Sequence, residues 1–235
     1  MMRTKAPLAA LLLVAVACNT APEPQQDDRT GPAPTLAWNG SFPGFYSSMT
    51  ATTDAPSPGT ELWVFPDSGF VLRATPGPDA FPTGVFGKWY VVDDLLATGS
   101  GTDKPEFWKR TAEGLLNVGE DGQPFSDGPR MILERVPNAP MDQVPPMRVR
   151  GTYRYAANSH SFEPAGSDRE FPLAVGDLVG DMLEALSGSS DIKREQLCVE
   201  IECSLTPGPA MEGGGTDEYV QLFGLVRSLP ANECD

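Results

Sequence analysis

The sequence predicts a mainly all-β chain built as two small barrels, the second of the OB type with one helix. Three observations carry this. Short β-branched and aromatic runs are separated by Gly, Pro, Asp and Ser about every ten residues, the spacing of a sandwich or barrel. A helical period of apolar residues is found at Asp177–Leu186, in the second half. The second half then reads three strands, a helix and two strands, which is the order of an OB barrel.

The elements follow in order. Glu61-Leu-Trp-Val-Phe65 and Phe70-Val-Leu-Arg-Ala74 flank Pro66-Asp-Ser-Gly69, which is a hairpin signal. Gly84–Val92 is the next strand, and Asp93-Asp94 is a turn leading into Leu95-Leu96. Phe107-Trp108, Leu115-Leu116 and Met131–Arg135 complete a meander within residues 36–136. The Pro-rich stretch 137–147 reads as an interdomain linker, because proline lacks a backbone donor and fixes φ, which excludes a central strand. In the last part, 148–235, Arg148–Tyr155 alternates strictly. Val149, Tyr153 and Tyr155 face one side, and Arg148, Arg150 and Arg154 face the other. Asp177 caps the predicted helix, Leu178, Val179, Met182, Leu183 and Leu186 form its apolar stripe, and Gly188 closes it. Leu197–Leu205 and Glu218–Val226 are the last two strands.

Composition removes several function classes. With 32 acidic and 17 basic residues the formal charge is −15, a field that repels nucleic-acid phosphate. The one histidine, His160, rules out a multi-histidine metal site within one chain. It sits in the polar run Ala-Asn-Ser-His-Ser, and the chain has no G-x-S-x-G elbow. Gly213-Gly-Gly215 lacks the strand-to-helix setting of a phosphate loop. No enzyme activity and no cofactor are expected.

The N-terminus carries an address. Residues 1–17 have a basic start and the apolar run Ala6–Ala17, too short to span a bilayer, which together read as an export signal. Ala15-Val16-Ala17-Cys18 resembles a bacterial lipobox, so Cys18 is the expected lipidation site and the first residue of the mature chain. An ordinary cut after Ala17 also fits the small-residue rule. Residues 18–35 are polar and Pro-rich and read as a solvated tether. The expected address is the outer membrane of the bacterial envelope, facing the periplasm.

Both halves also resemble a known family. Thr60–Val71, Gly87-Lys-Trp89, Glu113–Phe125 and Met131–Arg135 resemble the N-terminal domain of the NlpE lipoproteins, a calycin-like β-barrel. Arg150-Gly-Thr-Tyr-Arg-Tyr155, Phe171–Ala174 and Met211-Glu-Gly213 resemble the OB-like domain that follows it. The resemblance implies a non-catalytic envelope module for stress or surface sensing, with an envelope protein as partner. It also implies a C-x-x-C pair after a Gly-x-x-Pro segment. Here Gly40-Ser-Phe-Pro43 is followed by Gly44-Phe45, so the soft ligand set for Cu(I) is missing and no metal site is carried over. The competing reading is a small hydrophobic ligand inside the first barrel, lined by Trp63, Phe70, Phe86 and Trp89.

After Cys18 three cysteines remain, an odd count that leaves one free thiol or an intermolecular pair. Cys198 and Cys203 are five apart on one strand, roughly 16 Å in an extended chain and out of bridging reach. The expected bridge is Cys198–Cys234, with Cys203 a buried thiol, whereas the family often places a cysteine near the position of Pro164. The arginine stripe is either an anion or partner site or, as the acidity favours, pairs with Glu200 and Glu202 on the neighbouring strand.

Overall fold

Period-two alternation builds the first barrel from strands that each pair with the next. These are β1 Gly44–Ser47, β2 Gly59–Val64, β3 Gly69–Thr75 and β4 Thr83–Val92, then β5 Leu95–Gly99, β6 Glu106–Arg110, β7 Gly114–Val118 and β8 Ile132–Val136. All these pairings are antiparallel, and β8 pairs back onto β1, so the ring of eight closes. The computed structural model describes residues 41–48, 59–77, 79–101, 104–126, 130–156, 159–174, 180–181, 196–209 and 216–234.

A ring of eight strands is just wide enough for side chains to fill. Tyr46, Leu62, Val64, Phe70, Leu96, Trp108, Leu115 and Leu133 fill it, with Phe42 at one end. The tight turns have the chemistry their dihedrals need. Asp93 and Asp94 have φ of 48° and 65°, the double left-handed setting of a two-residue hairpin loop that Asp tolerates. Gly114 has φ 153°, and a Cβ there would run into the Leu133 carbonyl, so only glycine lets β7 start against β8.

The second barrel is β9 Val144–Ala156, β10 Ser159–Pro164, β11 Phe171–Ala174, β12 Gln196–Pro209 and β13 Thr216–Ser228, followed by a 3₁₀ turn Ala231–Glu233. The neighbour order β9-β10-β11-β13-β12-β9 closes a five-stranded ring. The β11–β13 pair is parallel and the others are antiparallel, as in an OB fold. Val149, Tyr153, Phe162, Ile201, Cys203 and Val220 point inward. The predicted helix at 177–186 lies outside the described residues apart from Gly180 and Asp181, both helical and exposed.

The Pro-rich stretch does not run as a linker to residue 147. Strand β9 begins at Val144, and Met147 is fully buried opposite Cys203. The register shifts here: Val144 faces Leu205 and Met147 faces Cys203, so Pro145 and Pro146 stand against Ser204 alone. A bulge of this kind leaves residues outside the ladder, where the missing proline N–H costs nothing.

The two rings share structure. Thr83 of β4 bridges Arg148 of β9 in parallel, and the Arg148 N–H donates to the Pro82 carbonyl at 2.8 Å. The outer face of the first barrel supplies Trp63, Phe65, Val71 and Phe86 to the same buried cluster as the OB core, with Phe45 packed against it. Gly166 has φ 78°, and a Cβ there would overlap the Ser100 side chain and stand 2.8 Å from the Gly101 nitrogen. Ion pairs add to the seam: Lys88 with Asp168, and Arg169 with Asp67 at 3.2 Å and Glu218 at 2.7 Å.

Candidate functional site

The mouth of the first barrel is where β1 enters. Phe42 lies just before that strand, and its ring sits under the Arg110 guanidinium at 4.2 Å and against Trp89 at 6.4 Å between centroids. The Tyr46 hydroxyl donates to the Phe42 carbonyl at 2.6 Å, and Arg135 Nη2 donates to the Pro43 carbonyl at 3.2 Å. Burial pushes the Tyr46 hydroxyl up to about 12, against the pull of Arg135 and Arg110. Tyr46 is therefore a neutral donor at any physiological pH. Above Phe42 opens a cleft of about 520 Å³ lined by Asp93, Asp94, Lys109, Arg110, Glu120 and Asp121.

The four aromatic residues expected to line one cavity do not share one. Phe70 stands opposite Gly87 and Val64, and it points into the ring. Trp89 has the same parity as Gly87 and packs at the rim, its indole N–H donating to the Phe65 carbonyl at 2.8 Å. Trp63 and Phe86 both face Val71, one residue out of phase, so they leave the ring and enter the seam with the second barrel. A single-residue change of parity moves a side chain to the opposite face. The signal for Phe42 in the sequence is faint: Gly40-Ser-Phe-Pro-Gly44 places one large apolar residue among turn formers.

The arginine stripe is present, and each arginine faces a carboxylate. Arg148 donates Nε and Nη2 to Glu202 at 3.0 and 2.9 Å. Glu200 stands opposite Arg150 in register, but Arg227 from the other neighbouring strand takes it at 2.7 Å. Arg150 instead lies 3.7 Å from Glu233, and Arg154 pairs with Glu163 and with Glu170 at 3.5 Å. Such half-exposed pairs are each worth about 0–1 kcal/mol. A groove of about 420 Å³ beside them is lined by Arg148, Arg150, Glu200 and Glu233 along with the seam residues Gly84 and Gly166.

Cys198 and Cys234 are joined, with Cα atoms 5.7 Å apart. The tail reaches back because the Leu229 N–H donates to the Cys198 carbonyl at 2.9 Å and a 3₁₀ turn follows. Cys203 is a buried free thiol, and burial pushes its pKa up to about 12. Native protein at pH 8 is expected to leave Cys203 unmodified by iodoacetamide over hours, with full carbamidomethylation once urea unfolds the chain. Rapid native labelling by peptide mass would show that the OB core opens.

His160 shares a 2.7 Å hydrogen bond between Nδ1 and the Tyr153 hydroxyl, and the Tyr155 ring lies 4.7 Å away. It satisfies the hydroxyl of a core tyrosine. Among the described residues, no three His, Cys, Asp or Glu side chains gather into a metal-holding group.

Residues 143–235 match the family model of the NlpE C-terminal OB domain. A crystal structure of the Cpx pathway activator NlpE from Escherichia coli is similar at 17% identity, covering 77% of this chain and 92% of that one, with a TM-score of 0.29. No curated protein sequence matches the chain. The second barrel, built from β9 to β13 within these matched residues, is thus similar to the NlpE C-terminal OB domain.

Proposed function

We propose that this chain is a lipid-anchored, non-catalytic module of the bacterial envelope that works by contact with another envelope protein in stress or surface sensing. The observation that supports it most is the match of residues 143–235 to the NlpE OB domain on a chain whose start reads Ala15-Val16-Ala17-Cys18. In this reading residues 1–17 are removed, Cys18 is acylated, and residues 18–35 hold the two barrels off the outer membrane on its periplasmic side. Several acyl chains on one end give stable anchoring where one would not. The protein acts through where it is held: mislocalised copies bring their surface to a sensor. The paired arginine stripe, the buried Cys203 and the tyrosine-bound His160 favour recognition over catalysis.

The test is chemical and spatial. The N-terminal peptide of protein from intact cells should carry the acyl mass on Cys18, and the protein should enter the detergent phase in a Triton X-114 separation. Cys18→Ser should move it to the aqueous phase. In-cell crosslinking of the wild type should capture an envelope protein that the Cys18→Ser variant captures differently. Wild-type protein found entirely in the aqueous phase would end the anchored reading.

A further inference from the structure

Strand β4 changes partners partway along. Through Thr83–Lys88 one of its edges lies on β3, and from Lys88 to Val92 the other edge lies on β5. Before Lys88 that second edge meets β9 at one bridge, Thr83 to Arg148. Gly84, Val85 and Phe86 therefore have no strand beside them there among the described residues. The Trp89 N–H donates to the Ser68 carbonyl, on the β3 side. Backbone groups alternate along a strand, so the N–H and C=O of Phe86 point the other way, into the gap. The groove of about 420 Å³ opens along this edge, between Thr83–Val85 and Arg148–Arg150. Gly101 and Gly166 add to its walls and carry no side chains, which leaves room for a second backbone. An unpaired edge is a template for an added strand.

The charges of the groove are unequally committed. Arg148 gives two hydrogen bonds to Glu202, and Glu200 is taken by Arg227 at 2.7 Å. Arg150 is left with Glu233 at 3.7 Å, beyond hydrogen-bond length, and its side chain is half exposed. Among the described residues no nearer carboxylate pairs with this guanidinium. An arginine presents a fixed fork of N–H donors that fits a carboxylate through two parallel bonds. The chain as a whole, at −15, repels an acidic segment, so a partner's carboxylate has to be met locally, and Arg150 has the capacity to meet it. Val85, 42% exposed in the same groove, offers an apolar contact.

The geometry points to this groove as a docking site for an extended acidic segment of a partner protein. The segment pairs its backbone with the open edge at Phe86 and sets a glutamate or aspartate on Arg150, in the place that Glu233 only half fills. This rests on the reading of the chain as a contact module and names the chemistry of the contact. It does not rest on acylation of Cys18, so a groove that binds nothing and a protein found wholly in the aqueous phase are separate failures.

Heteronuclear NMR titration of the full, isotope-labelled chain tests it, with acetyl-Ala-Glu-Ala-amide, its neutral counterpart acetyl-Ala-Gln-Ala-amide, and acetate as probes. At millimolar concentration the glutamate peptide should shift the Arg150 Nε–H and Phe86 amide signals saturably. The glutamine peptide and acetate should each bind at least fivefold more weakly. Glu233→Gln should tighten the glutamate peptide at least twofold, because the competing carboxylate is gone. Arg150→Gln should bring the two peptides to equal affinity. Should that variant not fold, the comparison of the three probes on the wild type decides. Equal affinity of the wild type for the two peptides overturns the proposal, as does the absence of saturable shifts at Arg150 and Phe86. Acetate binding as tightly as the glutamate peptide would mean a small-anion site with no added strand, and the proposal falls.

Discussion

Trp108→Ala is expected to lower the unfolding free energy by about 3–5 kcal/mol, read from urea denaturation followed by circular dichroism. Trp108 is 1% exposed in the interior of the first ring, the largest fully buried side chain among the described residues. Its indole N–H donates to the Thr98 hydroxyl at 3.1 Å, and Thr98 is itself buried. Truncation therefore removes the packing and leaves a buried hydroxyl without its donor. A closed ring makes the loss worse, because its strands are hydrogen-bonded on both sides and cannot collapse inward to fill the void. Trp108→Phe keeps most of the volume and should cost clearly less. A loss below about 1 kcal/mol for the alanine variant would mean that the ring is held by something other than its filling.

The second large effect is expected from the double variant Cys198→Ser, Cys234→Ser. The bridge closes a span of 36 residues, for which chain entropy alone predicts about 4 kcal/mol. The span holds most of β12 and all of β13, the strands that close the second ring. The change should appear as a shift to lower urea in the unfolding midpoint of oxidised wild type against variant. The 229–234 tail should lose protection with it, because the bridge holds Cys234 against the Gly151 carbonyl at 3.0 Å. Matching midpoints would show that the unfolded chain gains no freedom when the link is gone.

The parts of the fold readable from residues alone were those governed by near neighbours. Pro66–Gly69 and Asp93-Asp94 mark their hairpins because turn dihedrals demand particular side chains. Strand β1 escaped notice: Gly-Phe-Tyr-Ser is four residues long, and it becomes a strand because closing the ring sets it between β2 and β8, whose residues lie far along the chain. The seam was equally hidden. Trp63 and Phe86 look like cavity lining when only one face of a strand is assumed buried, but β2, β3 and β4 each give side chains to both the ring interior and the seam, Trp63, Val71 and Phe86 going to the seam. Pro145-Pro146 argued for a linker through a rule about ladders, and a bulge sets that rule aside locally. Phe42 carried no pattern of its own, since its importance comes from Trp89 and Arg110, residues more than forty positions away.

The shared seam has a consequence for how the polypeptide must be made. The ribosome completes the first ring before any of β9 emerges, so for that interval Trp63, Phe65, Val71 and Phe86 form a greasy stripe with nothing over it. Neither half is an interchangeable cassette: a gene that kept the first ring and dropped the second would encode a product with a sticky flank.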